Sequence, residues 1–409
     1  MKSNSLRYGH AWVPYALAAG FLVIIGLLLL AMRYGVFPRV QLSLGGFGTF
    51  MIWLSMLALL AIAMWLLFYA RDVYLRQRRL ARRRASQRAR VKSAADSGLY
   101  ITAIGGGTGL STILRGLKEI SSHINAVVTV TDDGGSSGRL LEGNTTVPPG
   151  DIRNCLVALS PREGIMESMF NYRFENPEEL RGHSLGNLMI AGLSDLTGDT
   201  ATAIRDIGRI LNIRGNVIPV TLDDVTLGAE MSDGDVVMGE TALVHDSRSI
   251  RQVFLSPRNA IVNADAVDAI INADVVLLGP GSLYTSVIPN LLVPGIVDAL
   301  TQTTAPVWYV ANIMTQRGET EGYDLSDHIE AIMALAPRPF LTGVIVNTKR
   351  IEGMPVGAFR KGGLSQVKND VVAIKKYGLR VVGLPLAKDG DSMKHDASVL
   401  ADFIASGRF

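Results

Sequence analysis

LYITAIGGGTGLST, residues 99–112, reads as a buried apolar strand, a glycine turn and the start of a helix. Gly105, Gly106, Gly107 and Gly109 fall within five positions, and glycine costs backbone entropy on folding unless its conformational freedom is used. A strand–glycine turn–helix corner aims unpaired backbone N–H groups and the positive end of a helix at one point, where a phosphate is favoured. The strand is expected over 99–104. The helix follows from Leu110, Ile113, Leu114 and Leu117, which recur on one helical face and give out before Ser121. A second apolar run at 126–131 completes a strand–helix–strand unit, the signature of a parallel sheet. The corner lacks the lysine of a P-loop, and Leu110 stands where a dinucleotide fingerprint needs its third glycine. A nicotinamide-dependent oxidoreductase is thereby disfavoured.

Two further loops answer the first. Thr131-Asp132-Asp133-Gly134-Gly135-Ser136-Ser137-Gly138 closes the second strand. Its adjacent carboxylates suit a ribose hydroxyl, a hydrated Mg²⁺ beside a diphosphate, or an Asx turn that caps the next segment. Gly279-Pro280-Gly281-Ser282-Leu283-Tyr284-Thr285-Ser286 follows a buried run at 274–278 and leads into another helix. Tyr284 offers a ring for stacking on a base, or is an ordinary half-buried tyrosine. These three loops are expected to meet around one nucleotide-type ligand.

Between and after them, Val147-Pro148-Pro149-Gly150-Asp151 marks a rigid turn, with Asp151 read as the N-cap of a helix over 152–159. Cys155, the single cysteine, falls inside that helix as a small hydrophobe; it excludes an intrachain disulfide and a cysteine-rich zinc site. His183 opens a helix at 188–196 as a local hydrogen-bonding residue or a general base, and Asn187 is the better ligand candidate. Residues 217–221 read as a strand and 225–244 as a small antiparallel hairpin insert. Helices are expected at 264–272, 324–335 and 397–405, with strands at 306–311, 341–346 and 379–384. Arg317, in the loop Asn312–Thr320 region, reads as a bidentate partner for a diphosphate or as a surface arginine. No nucleophile–base pair emerges, so no catalytic residue is assigned.

The chain has 409 residues and a net charge of +3, unevenly spread. Residues 1–70 carry +4 and residues 71–92 carry +9, leaving −10 for 93–409. An acidic body argues against nucleic acid as a partner. Residues 12–32 and 50–70 are apolar runs of 21 residues each. As helices each would be about 31 Å long, near the thickness of a hydrocarbon core. The expected organisation is a transmembrane hairpin over 1–70, a basic linker over 71–97 and a globular domain over 98–409. The basic flank, Arg71 to Lys92, places both termini and the main domain in the cytoplasm, with the hairpin in the inner membrane. It would also hold anionic lipid headgroups.

The runs IGGGTGLSTILRGLK, TVTDDGGSSGRL, PPGDIRNCLVAL, GHSLGNLMIAGL, GPGSLYTSVIPNLLV and ANIMTQRGET closely resemble the YvcK family, the gluconeogenesis factors of the CofD-like superfamily. The resemblance covers about the whole of 99–409 and leaves 1–98 outside it. It implies a Rossmann-like α/β fold, mostly parallel with helices on both faces, and binding of UDP-sugars, notably UDP-N-acetylglucosamine. It implies a role in cell shape, wall-precursor supply and growth on non-glycolytic carbon, with no accepted catalytic activity. Carried onto this chain, Gly105, Gly106, Gly107, Thr108 and Gly109 form the phosphate turn, and Asp132 and Asp133 the acidic loop, with Mg²⁺ as a candidate ion. Asn187, Gly281, Ser282, Tyr284, Thr285 and Arg317 would line the sugar-nucleotide cleft. The related CofD enzymes supply the alternative, a Mg-dependent transfer of a phospho group from a nucleotide-linked donor. Membrane anchoring would set the domain beside wall-precursor enzymes, the partner class expected besides a second copy of the chain.

Overall fold

A computed structural model describes residues 61–66, 69, 98–134, 136–138, 147–246, 248–352, 364–388 and 391–409. The chain divides into two compact units, Met1–Asp96 and Ser97–Phe409. Of the first, residues 61–66 and 69 are helical. The rest of the two apolar runs and the basic linker lie outside the described residues. Among the described residues no single helix is long and apolar enough to cross a membrane.

The second unit is an α/β domain. It opens with β1 (Ile101–Gly105), α1 (Gly107–Leu117) and β2 (Ile124–Val128). Next come α2 (Pro149–Leu159), α3 (Glu163–Phe170), α4 (Leu185–Thr197), α5 (Thr200–Ile210) and β3 (Asn216–Pro219). An insert follows, made of β4 (Thr226–Met231), β5 (Val236–Met238), α6 (Glu240–His245) and β6 (Ile250–Ser256). The chain then re-enters the main sheet through α7 (Ala264–Ile271), β7 (Val275–Leu278), α8 (Ile288–Leu292), α9 (Ile296–Gln302) and β8 (Val307–Val310). It finishes with α10 (Leu325–Met333), β9 (Gly343–Asn347), α11 (Val371–Ile374), β10 (Arg380–Leu384), the ribbon β11 (Ala387–Lys388) and β12 (Asp391–His395), and α12 (Ala397–Ala405).

The main sheet has seven strands in the order β10-β9-β8-β7-β1-β2-β3, and every neighbouring pair is parallel. Helices flank it, which is why β1, β7, β8 and β9 are buried along their whole length and read as unbroken apolar runs. From β1 the chain builds outward through β2 and β3, then returns to lay β7 against the other side of β1. The order therefore reverses between β1 and β7. In open α/β sheets a ligand sits at such a reversal, outside the carboxyl ends of the strands.

Three expectations need correcting. The run at 126–131 forms a strand only to Val128: its partner β1 ends at Gly105, and Thr129 N–H gives the last bond, to the Gly105 carbonyl. The insert at 225–244 is not a plain hairpin. Residues after Gly239 coil into α6, and a third strand, β6, pairs antiparallel with β4. Asp151 is not the N-cap of its helix. Pro148 holds that position, and Asp151 lies in the first turn with its carboxylate turned to another element.

Candidate functional site

The two glycine loops flank the reversal point and press together there. A methyl group on Gly109 would lie 2.5 Å from the Pro280 carbonyl oxygen and 2.9 Å from Gly281 Cα. Gly107 has φ +60°, a conformation that side chains disfavour, and a methyl there would sit 3.6 Å from Ser286 Oγ. Asn290, fully buried, ties the corner together by donating to the carbonyls of Gly105 and Ser286. Thr108 is exposed at the tip of the turn. The third loop is pinned from β8's far end: Asn312 accepts from Gly281 N–H at 3.3 Å and donates to the Gly281 carbonyl at 2.9 Å. Gln316 donates to Ser282 Oγ at 2.7 Å.

Both loops are held by carboxylates. Asp151 Oδ2 accepts the Gly107 N–H at 2.6 Å, on the helix end where an anion was expected. Burial raises its pKa to about 6, against the pull of that N–H, with Asp132 adding to the rise and Arg153 opposing it. Glu319 accepts from Tyr284 N–H and Thr285 Oγ1, each at 3.2 Å, and burial raises its pKa as well. Glu240, at the start of α6, is raised to about 9 by burial and by Asp151, Asp132, Glu319 and Asp133. Five carboxylates from four separate segments thus share one neighbourhood. Asp132 Oδ1 accepts from Gly134 N–H at 3.0 Å, an Asx turn. Asp133 Oδ1 accepts from Thr241 N–H at 2.8 Å and Thr241 Oγ1 at 2.6 Å, so it caps α6 from a distant loop. Among the described residues no group of three or more His, Cys, Asp or Glu side chains is arranged to hold a metal ion.

The remaining named residues divide sharply. Asn187 is 1% exposed and fully engaged: its Oδ1 accepts from Arg153, and its amide donates to Ser136 Oγ. Ser136 also receives Ser184 N–H and pairs with His183 Nδ1 at 3.1 Å. Ser136 thus works as a hub that ties the loop after β2 to the start of α4 through His183, Ser184 and Asn187. Arg153 completes that hub through Ser184, Asn187 and Asn154. Burial and nearby Arg173 lower its pKa. Tyr284 is 6% exposed, its ring edge-on to Tyr323 and its hydroxyl 2.8 Å from the Tyr323 hydroxyl. Arg317 is exposed, and no hydrogen bond or ion pair reaches it among the described residues. Cys155 is buried, with its thiol pKa pushed well up.

The glycine loops, Asp132, Asp133, Thr285 and Ser282 therefore converge. Tyr284 and Asn187 adjoin the same region from the core side. The sequence reading missed Asp151, Glu240, Glu319, Asn312, Gln316 and Arg153. Five of these lay in runs already quoted, Asp151 and Arg153 in PPGDIRNCLVAL and Asn312, Gln316 and Glu319 in ANIMTQRGET, and Glu240 lay in the insert read as a hairpin.

Comparison with known proteins follows the same span. Residues 101–387 match the family described as 2-phospho-L-lactate transferase CofD. A protein named gluconeogenesis factor from Halalkalibacterium halodurans is 44% identical over 315 residues, covering 75% of this chain and 96% of the relative. One of the same name from Bacillus subtilis is 41% identical over 309 residues, covering 74% and 98%. The crystal structure of a Bacillus halodurans protein described as a member of the UPF0052 family superposes with a TM-score of 0.70 at 41% identity, covering 76% of this chain and 99% of that one.

Proposed function

This chain belongs to the CofD family, alongside relatives named gluconeogenesis factor, and from that premise we propose that it is a UDP-sugar-binding regulatory factor. The ligand we assign is UDP-N-acetylglucosamine or a close relative. The observation that carries this reading is the meeting of the β1 and β7 glycine loops at the one place where the strand order reverses. There the pyrophosphate would lie along Gly105 to Gly109 and Gly281–Ser282, with exposed Thr108 and Arg317 free to reach it. Arg317 suits a bidentate hold on phosphate oxygens. For Tyr284 to stack on a base, its ring would have to leave Tyr323.

The factor would act in wall-precursor supply and cell shape during growth on non-glycolytic carbon. The apolar runs at 12–32 and 50–70 would hold it at the inner membrane with the α/β domain in the cytoplasm. Titration calorimetry of the chain with UDP-N-acetylglucosamine tests the reading: saturable heat is expected, and none at millimolar ligand would end it. Arg317→Ala should weaken the UDP-sugar by about ten-fold and leave any affinity for the free sugar unchanged.

The transferase reading takes its support from the family description. It predicts a new phosphodiester when the protein is incubated with Mg²⁺, a nucleotide-linked donor and an acceptor. Unchanged ligand by mass spectrometry is the outcome expected of a binding factor, and a new phosphodiester would favour the transferase.

A further inference from the structure

Helix α4 (Leu185–Thr197) is apolar on both sides. Its inner face, with Gly186, Asn187 and Ile190, is buried against the domain, and Met189 and Leu193 lean on the core beside it. By helical spacing Leu185, Leu188, Gly192 and Leu196 fall together on the opposite face. Among the described residues none of these three leucines packs against the core. Leu196 is 79% exposed, and a methyl on Gly192 would meet nothing within 4 Å. Exposed Tyr172 extends the face, since its carbonyl accepts the Leu185 N–H at 2.9 Å. No charged residue interrupts 185–194. A helix that is apolar all round is ordinarily covered all round.

Register and charge say what covers this one. Leu188 and Leu196 stand four residues either side of Gly192. Two such helices crossing antiparallel at Gly192 would set Leu188 of each against Leu196 of the other, with the glycines leaving room for the backbones to approach. Arg181 lies ahead of α4, and Asp195 and Asp199 lie at its end. That is the reverse of what the helix dipole favours. An antiparallel neighbour corrects it by bringing the basic start of one helix alongside the acidic end of the other. Exposed Glu175, Glu178 and Glu179 stand in the segment before α4 and disfavour an anionic lipid surface as the cover. We propose that the outer face of α4 is the centre of a two-fold interface between two copies of this chain, with the helices crossing antiparallel at Gly192. Such an interface uses the same patch on both copies, as a two-fold requires.

The test uses the full-length chain in detergent. Its protein mass by light scattering should be that of two copies, falling to one in Leu196→Asp with an unchanged thermal midpoint. Gly192→Cys tests the register, and keeps the proposal open to refutation if Leu196→Asp does not fold. A mild oxidant should join two copies through the introduced thiol in most of the protein. Ile261→Cys, at a position 74% exposed on another surface loop, should stay single. Cys155 is buried and gives no background. A single copy for the unsubstituted chain overturns the proposal. Two copies that persist in Leu196→Asp and are not joined through Gly192→Cys overturn it as well, by placing the contact in another part of the chain. An introduced thiol at 192 that resists maleimide in single copies shows that the chain covers α4 itself, and overturns it too.

Discussion

Gly109 lies against backbone on its far side: a methyl there would meet the Pro280 carbonyl oxygen at 2.5 Å. Neither loop can yield by turning a side chain, so Gly109→Ala should push them apart, destabilise the domain by about 1–3 kcal/mol in urea unfolding and abolish the proposed UDP-sugar binding. Glu240 gives the opposite sign. Its folded pKa of about 9 stands above the ordinary 4.5, so the folded state keeps a proton that the unfolded chain has released. Stability is then full below pH 4.5 and is lost as pH rises towards 9. Glu240→Gln removes that loss and should stabilise the domain at pH 7 by roughly 1–3 kcal/mol, with no gain at pH 4. Denaturant titrations at both pH values check it. Single residues were also the hardest to read from sequence. Tyr284 in a glycine loop serves stacking and core packing equally well, and its bond to Tyr323 spans 39 positions. Asp151 beside prolines has every mark of a helix cap, yet its partner, Gly107, lies 44 positions back.

Elements were more legible because they rest on local spacing. Helix α12 falls on 397–405 as its pattern indicates, and β7 to β10 differ from expectation only at their ends, where pairing stops. The insert was less so: β5 has just three residues, two of them exposed, and α6 owes its start to a carboxylate from another loop. That dependence gives a prediction. Asp133→Ala removes two hydrogen bonds from the first turn of α6 and should cost about 1 kcal/mol, as loss of a helix cap does. Hydrogen exchange should quicken in residues 240–245 and stay unchanged in β1 and β7. Equal quickening in the main sheet would show that Asp133 supports the whole site rather than one helix.

At the scale of the molecule, Ser97–Phe409 is compact by itself, and relatives made of little more than this span cover 96–98% of their own length with it. A fragment of residues 98–409 should therefore unfold cooperatively, with a midpoint matching that of the domain in the full chain. The order of apolar runs around the first glycine turn foretold the parallel sheet. It could not foretell that the order turns back between β1 and β7, because that depends on where a strand 170 residues after β1 returns. A related consequence follows from Gly116, near the end of α1. Any methyl there would collide with the backbone of Ala397, so α12 lies directly on the helix that follows the glycine turn. During translation the ribosome must pass residue 405 before the earliest helix of the domain gains its cover. A nascent chain stopped short of that point leaves Leu110 to Leu117 open to chaperones, and a premature stop codon just before residue 397 should send the product to proteolysis rather than leave a weakened binder.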